Sequence, residues 1–258
     1  MRYVNEWKQY ITRCGRWVDF DNGYKTMNLN YMESVIHVFK TLYEKGLLYE
    51  DFRVMPYSWK CQTPLSNSEA KMDNSYRERA DKAVTVKFKL KKECLDEFQK
   101  RIGIFNFQFS IFNFYILAWT TTPWTLPSNL ALTVNKNFDY LLIKFPQNDD
   151  YAIIGKSLLS KYKKELADAE GNFNIVAEFK GEKLLGLHYE PLLPYLKDLQ
   201  EVKESENAFS IIHGDFVTTE DGTGIVHTAP GFGEDDDDVC KPMGIPTVCP
   251  VDDGGCFT

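Results

Sequence analysis

Four threonines, Thr120, Thr121, Thr122 and Thr125, stand just behind the apolar run Tyr115-Ile116-Leu117-Ala118-Trp119, with Pro123, Trp124, Pro127 and Asn129 among and after them. A threonine hydroxyl both donates and accepts a hydrogen bond, so a cluster of them can orient a water against an ester. Threonines also favour strands and strand ends, which is the plainer explanation. The two prolines fix the backbone after the apolar run and leave it irregular. A second segment, Gly222-Thr223-Gly224-Ile225-Val226-His227-Thr228-Ala229-Pro230-Gly231-Phe232-Gly233, ends a strand-like run in a histidine and a turn, then enters Glu234 and the aspartates 235 to 238. A histidine beside a turn is more often structural, and a catalytic one needs a partner. The acidic run has three readings. It is a solvated helix start, with acids at the positive end of the dipole, a divalent-metal site, or a run with one carboxylate turned inward to receive an ammonium. The two segments hold enough hydroxyl, imidazole and carboxylate groups for one small pocket. They are also consistent with two ordinary turns.

Several common chemistries lose their usual support. The EF-hand spacing is absent, as are H-E-x-x-H, G-x-S-x-G and the P-loop. No three or four metal ligands have a recognisable spacing, so no metal is expected.

The elements that must position these groups are legible in part. Met32, Val35, Ile36, Phe39, Leu42 and Tyr43 recur at helical spacing, with Gly46 as the stop. Val54 to Trp59 reads as extended, and Pro64 favours a turn. Val84, Val86, Phe88 and Leu90 alternate with polar residues, as in a half-buried strand. Further strands are expected at 115–119, 130–134, 140–145, 151–154, 173–179, 210–217 and 224–228, with a helix at about 156–168. Lys91 to Phe109 and Leu193 to Asn207 read as loops. Many short strands with few helices suggest a barrel or closed sheet.

The chain has 258 residues, 43% apolar and 14% aromatic, so a substantial core is expected. No apolar run approaches the roughly 18 residues of a membrane span. The first residues lack the apolar stretch of a signal peptide, which favours the cytoplasm. The six cysteines include no C-x-x-C pair and are expected to be small buried apolar residues. A net charge of −7 disfavours gripping a long nucleic-acid backbone. Any contact with RNA is expected at an end, or with other domains holding the rest.

The segments 119–129 and 222–236 resemble the two signature segments of the editing domain of isoleucyl-tRNA synthetases, within the editing domains of the valine, isoleucine and leucine class I enzymes. The valyl and leucyl relatives carry a T-T-R-P pattern, whereas here Thr122 stands before Pro123 and Trp124. Gly15 to Phe20, Gly23 to Met27 and Cys61 to Asn67 are similar to the segment before that domain in eukaryotic cytosolic isoleucyl enzymes. The resemblance covers most of the chain and is weakest at 91–110 and 160–207. Asp237 and Asp238 replace a less acidic continuation usual in the family.

The resemblance implies an α+β, strand-rich, barrel-like editing domain with peripheral helices at 79–258, truncated at its C-terminus, preceded by a smaller helical and ribbon segment at 1–78. It implies hydrolysis of mischarged Val-tRNA(Ile), because one missing methylene is worth only about 1–3 kcal/mol and a second site must remove what slips through. Asp236 would bind the substrate ammonium. Thr120, Thr121, Thr122 and Asn129 would line the pocket and orient water, with Thr125, Trp124 and Asp235 as further substrate contacts. His227 would form the wall that excludes isoleucine. Neither H-I-G-H nor K-M-S-K-S occurs, so ATP and magnesium belong to an aminoacylation part absent here, and editing itself needs no cofactor. The expected partners are the tRNA(Ile) 3′ end and the rest of the synthetase, with no membrane, and the piece alone is expected to be a monomer. Two rivals remain: a non-catalytic module binding a nucleoside or an RNA end, and a metal-dependent hydrolase using His227 and the aspartates.

Overall fold

The computed structural model describes residues 2–104 and 112–258. They form two compact units, Met1–Phe52 and Arg53–Thr258. In the first, helix α1 spans Arg2–Arg13 and α2 spans Leu29–Glu44. α2 ends where the sequence predicts, with Gly46 at φ +67 just beyond it. Its apolar face is nevertheless uncovered, and Ile36 is 67% exposed.

The second unit opens with a ribbon of two short strands, β1 (Tyr57–Ser58) and β2 (Thr63–Pro64), so Pro64 pairs in a strand where a turn was expected. A capping box between Ser66 and Glu69 then starts the short helix α3, Asn67–Ala70. The Tyr57 hydroxyl donates to the Asp253 carbonyl at 3.1 Å, tying the ribbon to the turn at 252–255.

The remaining strands build one curled, strand-rich sheet in the form of a half-barrel. They are β3 (Val84–Lys89), β4 (Phe114–Thr120), β5 (Ala131–Val134), β6 (Asp139–Lys144), β7 (Tyr151–Gly155), β8 (Asn174–Lys180), β9 (Ser210–His213) and β10 (Ile225–Thr228). Their order is β8-β6-β7-β4-β10-β5-β9, with β3 pairing antiparallel to β4. β4 is the branch point. Its first residues pair in parallel with β7, and its last pair in parallel with β10 through Trp119 and Val226. Two strands that run the same way therefore end side by side, at Thr120 and Thr228. β6 and β7 form a hairpin closed by Phe145 N–H to the Asp150 carbonyl at 2.9 Å, at the other end of β4.

Alternation along β4 loads both faces of the sheet. Ile116 and Ala118 enter a large cluster with Phe88, Leu132, Leu142, Ile153 and Tyr189. Leu117 joins Leu141, Ile143, Ile154 and Leu159 on the opposite side. Fully burying such a side chain contributes about 1.5–3 kcal/mol. An exposed pair such as Lys156–Glu178 contributes about 0–1 kcal/mol. Packing therefore dominates charge in holding the sheet.

Several expectations need correction. Lys91 to Ile104 is not a loop: after a 3-10 turn, helix α4 spans Leu95–Ile102. Leu95 and Phe98 are buried, acids lead, Lys100 and Arg101 close it, and Gly103 stops it at φ +75. The rest of that expected loop, from 105, lies outside the described residues. Within 193–207 a short helix α6, Gln200–Glu204, forms around buried Val202. The helix expected at 156–168 is mostly 3-10, Lys156–Tyr162, followed by one α turn, α5, Lys163–Leu166. The strand expected at 210–217 stops at His213. Of the cysteines only Cys240 is buried and Cys94 is partly so, while Cys14, Cys61, Cys249 and Cys256 are exposed. Among the described residues no helix is long and apolar enough to cross a membrane.

Gly231 shows how tightly the turn after β10 is packed. A Cβ there would lie 2.2 Å from the Val248 carbonyl oxygen. Gly186 has open space but a φ of +76. Gly231→Ala should lower unfolding free energy by about 2 kcal/mol or more, and Gly186→Ala by about 1 kcal/mol. Urea melts check the order, and equal costs would contradict the close approach.

Candidate active site

The loop leaving β4 carries the threonines. Thr120, the last residue of β4, is buried, and its hydroxyl accepts from Thr122 N–H at 3.0 Å and pairs with the Thr122 hydroxyl at 3.2 Å. A 3-10 turn, Pro123–Ser128, begins with proline where no amide donor is needed. It turns Thr125 inward and leaves Trp124 52% exposed. Thr121 and Thr122 are exposed.

His227 sits on β10, opposite Leu132 of β5. Its ring is buried and both nitrogens are engaged. Asn129 Nδ2 lies 2.8 Å from Nδ1, and Thr125 Oγ1 lies 3.0 Å from Nε2. The tautomer follows from the neighbours. The Ala131 carbonyl, 2.8 Å from Asn129 Nδ2, can only accept, so that atom is the amide nitrogen and its second hydrogen points at His227 Nδ1. Nδ1 therefore accepts, and Nε2 carries the proton and donates to Thr125. The Thr125 hydroxyl in turn donates to the Thr122 carbonyl at 2.8 Å. Burial pushes the imidazole down to about 4, so it is neutral near pH 7. At the far end, Tyr189 donates its hydroxyl to Asn129 Oδ1 at 2.6 Å. Tyr189 is not singled out by sequence, because it lies in an irregular segment with no period or motif.

The acidic run starts helix α7, Glu234–Cys240, as the solvated-helix reading expects, but its members part ways. Asp235 and Asp238 are exposed. Asp237 is buried, accepts from the Thr247 hydroxyl and lies 3.1 Å from Lys241 Nζ, a structural pair. Asp236 is half-buried, and its Oδ2 accepts from Ala229 N–H at 2.8 Å. Burial raises its carboxyl to about 6, with Asp235 adding to the rise and the Ala229 bond opposing it. The structure thus joins Thr120, Thr122, Thr125, Asn129 and His227 in one hydrogen-bonded chain. Asp236 is anchored two residues beyond His227. Among the described residues no three His, Cys, Asp or Glu side chains are grouped as metal ligands.

The family model of class I tRNA synthetases (I, L, M and V) matches residues 1–198. The chain belongs to that family. It is 54% identical over 259 residues to the isoleucine–tRNA ligase of Rickettsia peacockii (strain Rustic), covering 100% of this chain and 22% of that protein. The isoleucine–tRNA ligase of Rickettsia conorii is likewise 54% identical with the same coverage. The chain therefore spans 22% of the length of these curated synthetases. Both are bacterial, so the expected eukaryotic cytosolic type finds no support in them. Among solved structures, the editing domain of the P. falciparum cytosolic leucyl-tRNA synthetase is similar, with a TM-score of 0.50 and 15% identity over 63% of this chain and 67% of that one. This likeness supports the expected strand-rich, barrel-like fold with peripheral helices.

The two titratable groups of the site act on stability with opposite signs. Asp236 has a folded pKa near 6 against 3.8, so it stabilises the fold below about pH 4 and loses that contribution as pH rises through 6. His227 has a folded pKa near 4 against 6.5, so it stabilises above about pH 6.5 and loses this as pH falls through 4. Asp236→Asn keeps the acceptor for Ala229 and removes only the first effect. Relative to wild type, the variant should be about 1–2 kcal/mol more favoured at pH 7.5 than at pH 4, after discounting for partial exposure. Urea melts across that range measure it, and a pH-independent difference would contradict it.

Proposed function

We propose that this chain is the editing part of an isoleucyl-tRNA synthetase and hydrolyses valyl esters from the 3′ end of tRNA(Ile). The observation that carries this is the engaged state of His227. With Nδ1 held by Asn129 and Nε2 held by Thr125, the ring cannot serve as a free base or as a metal ligand without breaking that chain. It can serve as a rigid wall.

In this reading the substrate ammonium meets Asp236, whose carboxylate is half-buried and fixed by Ala229 N–H. An ammonium partner favours the ionised carboxylate, so binding should strengthen as pH rises through about 6. Exposed Asp235 has no such fixture. Thr121 and Thr122 are exposed residues, and their hydroxyls would orient a water against the ester carbonyl. Water oxygen bonds to that carbon, the ester C–O bond breaks, and the proton of the water ends on the departing ribose oxygen. An aminoacyl ester is already reactive, so positioning supplies much of what is needed. Trp124 offers an exposed indole on which a terminal base can stack. The rest of the tRNA would be held by parts of the synthetase beyond this chain, in the cytoplasm.

Asp236→Ala should lower deacylation of Val-tRNA about a hundredfold, the loss of a charge-assisted anchor worth about 2–3 kcal/mol, while Asp235→Ala keeps most activity. Chelators should leave the wild-type rate unchanged. A dead Asp235→Ala beside an active Asp236→Ala, or activity that needs added zinc or magnesium, would overturn these assignments.

Valine and isoleucine differ by one methylene, so discrimination must come from exclusion, and overfilling a rigid pocket costs about 1–3 kcal/mol. His227→Ala should begin to deacylate Ile-tRNA while retaining activity on Val-tRNA. The ratio of the two rates decides it: if both fall together at constant ratio, the wall lies elsewhere.

A further inference from the structure

The hydrogen-bonded chain through His227 begins at a residue with no place in the pocket. Tyr189 is fully buried. Its ring lies edge-on to Phe88 at 5.3 Å and to Phe209 at 6.2 Å. Its N–H donates to the Phe209 carbonyl at 3.0 Å, and its backbone bridges to Leu90. Phe209 has φ +59, a conformation that bulky residues rarely adopt. It is held there by its N–H bond to the Leu130 carbonyl at 2.7 Å. A strained backbone and two aromatic clamps thus fix one phenol, which is more than a core tyrosine needs for burial alone.

What the phenol reaches is the one atom that leaves Asn129 no choice. The Ala131 carbonyl selects the amide nitrogen on one side. The Tyr189 hydroxyl, donating at 2.6 Å, satisfies the amide oxygen on the other. Burial holds the phenol well above its ordinary range, so it keeps the proton that it donates. With the amide pinned at both ends, its second N–H faces His227 Nδ1 at 2.8 Å, with the Thr228 carbonyl farther off at 3.5 Å.

We propose that Tyr189 is a positioning residue: through Asn129 it locks His227 in the Nε2–H form and in one orientation, and thereby fixes the pocket wall and the Thr125 hydroxyl behind it. The effect on selectivity rests on the editing function proposed above, whereas the effect on the ring does not.

The experiment compares Tyr189→Phe with Tyr140→Phe in the full 258-residue chain labelled with 15N. Tyr140 is an equally buried phenol that donates to the Gly224 carbonyl at 2.7 Å and lies outside the Asn129 chain. His227 ring nitrogens, assigned with His227→Ala, should show an acceptor-like Nδ1 and a protonated Nε2 in wild type and in Tyr140→Phe. In Tyr189→Phe they should move towards an average of the two forms. The kcat for Val-tRNA should fall about tenfold with KM within about twofold, and the Val/Ile rate ratio should shrink. Wild-type nitrogen shifts in Tyr189→Phe, or equal changes in both tyrosine variants, overturn the proposal. If wild type hydrolyses no ester, the editing function fails and the nitrogen shifts alone decide the role of Tyr189. Should Tyr189→Phe not fold, Asn129→Asp cuts the same chain. Its carboxylate cannot donate to Nδ1, so Nδ1 should become protonated, and a ring whose Nδ1 remains an unprotonated acceptor counts against the lock.

Discussion

The site depends on the requirement that a buried amide be satisfied at every atom. Asn129 is buried and presents two donors and an acceptor, and an unmet one there costs about 1–3 kcal/mol. Ala131, His227 and Tyr189 meet those atoms from three parts of the chain. Each partner is in turn constrained by the amide. The ring of His227 takes one tautomer, the Thr125 hydroxyl points one way, and the 3-10 turn after β4 is held against β10. A hydrogen-bonded chain of this kind holds the His227 ring in one place and one orientation.

The sheet brings these partners together. β4 carries Thr120 and leads into the loop of the other threonines, β10 carries the histidine, and their parallel pairing makes their C-terminal ends neighbours. β5 then pairs antiparallel to β10 and sets Ala131 and Leu132 beside Thr228 and His227. Asp236 enters from the helix that follows, held to the chain by the Ala229 amide. Charge plays a smaller part in the architecture: the one buried acid of the run, Asp237, is spent on Thr247 and Lys241 and faces away from solvent.

Much of this was legible in the sequence where a local rule suffices. Alternation marked β3, and short apolar runs marked β4, β6 and β7 to within a residue or two. The α2 helix was legible in its period, yet that period says nothing about what covers it, and the apolar face is bare. α4 was missed because its charges, which in fact suit the two ends of a helix dipole, resemble a loop. The threonines, Asn129 and His227 stood out by motif, and their convergence rests on pairings about a hundred residues apart. Tyr189 could not be found at all by such means. Its role exists only through a contact sixty residues away in sequence. The same holds for the acidic run, where composition treats Asp235 to Asp238 alike and only packing separates the exposed, the paired and the half-buried.

The two ends of β4 face different demands. At Thr120 the chain enters the threonine loop. At Phe114, paired with Tyr151, it meets the tip of the β6–β7 hairpin, where residues 146–149 close a turn between Phe145 and Asp150. Lengthening a flexible loop costs only about 0.6 kcal/mol per doubling. An insertion at the hairpin tip would leave the pairing of Trp119 with Val226 untouched, whereas one beyond Thr120 would displace the hydroxyls outright. Variation in length is therefore tolerable at one pole of the sheet and ruinous at the other, and a graft or tag placed at the hairpin should leave the pocket unaware of it.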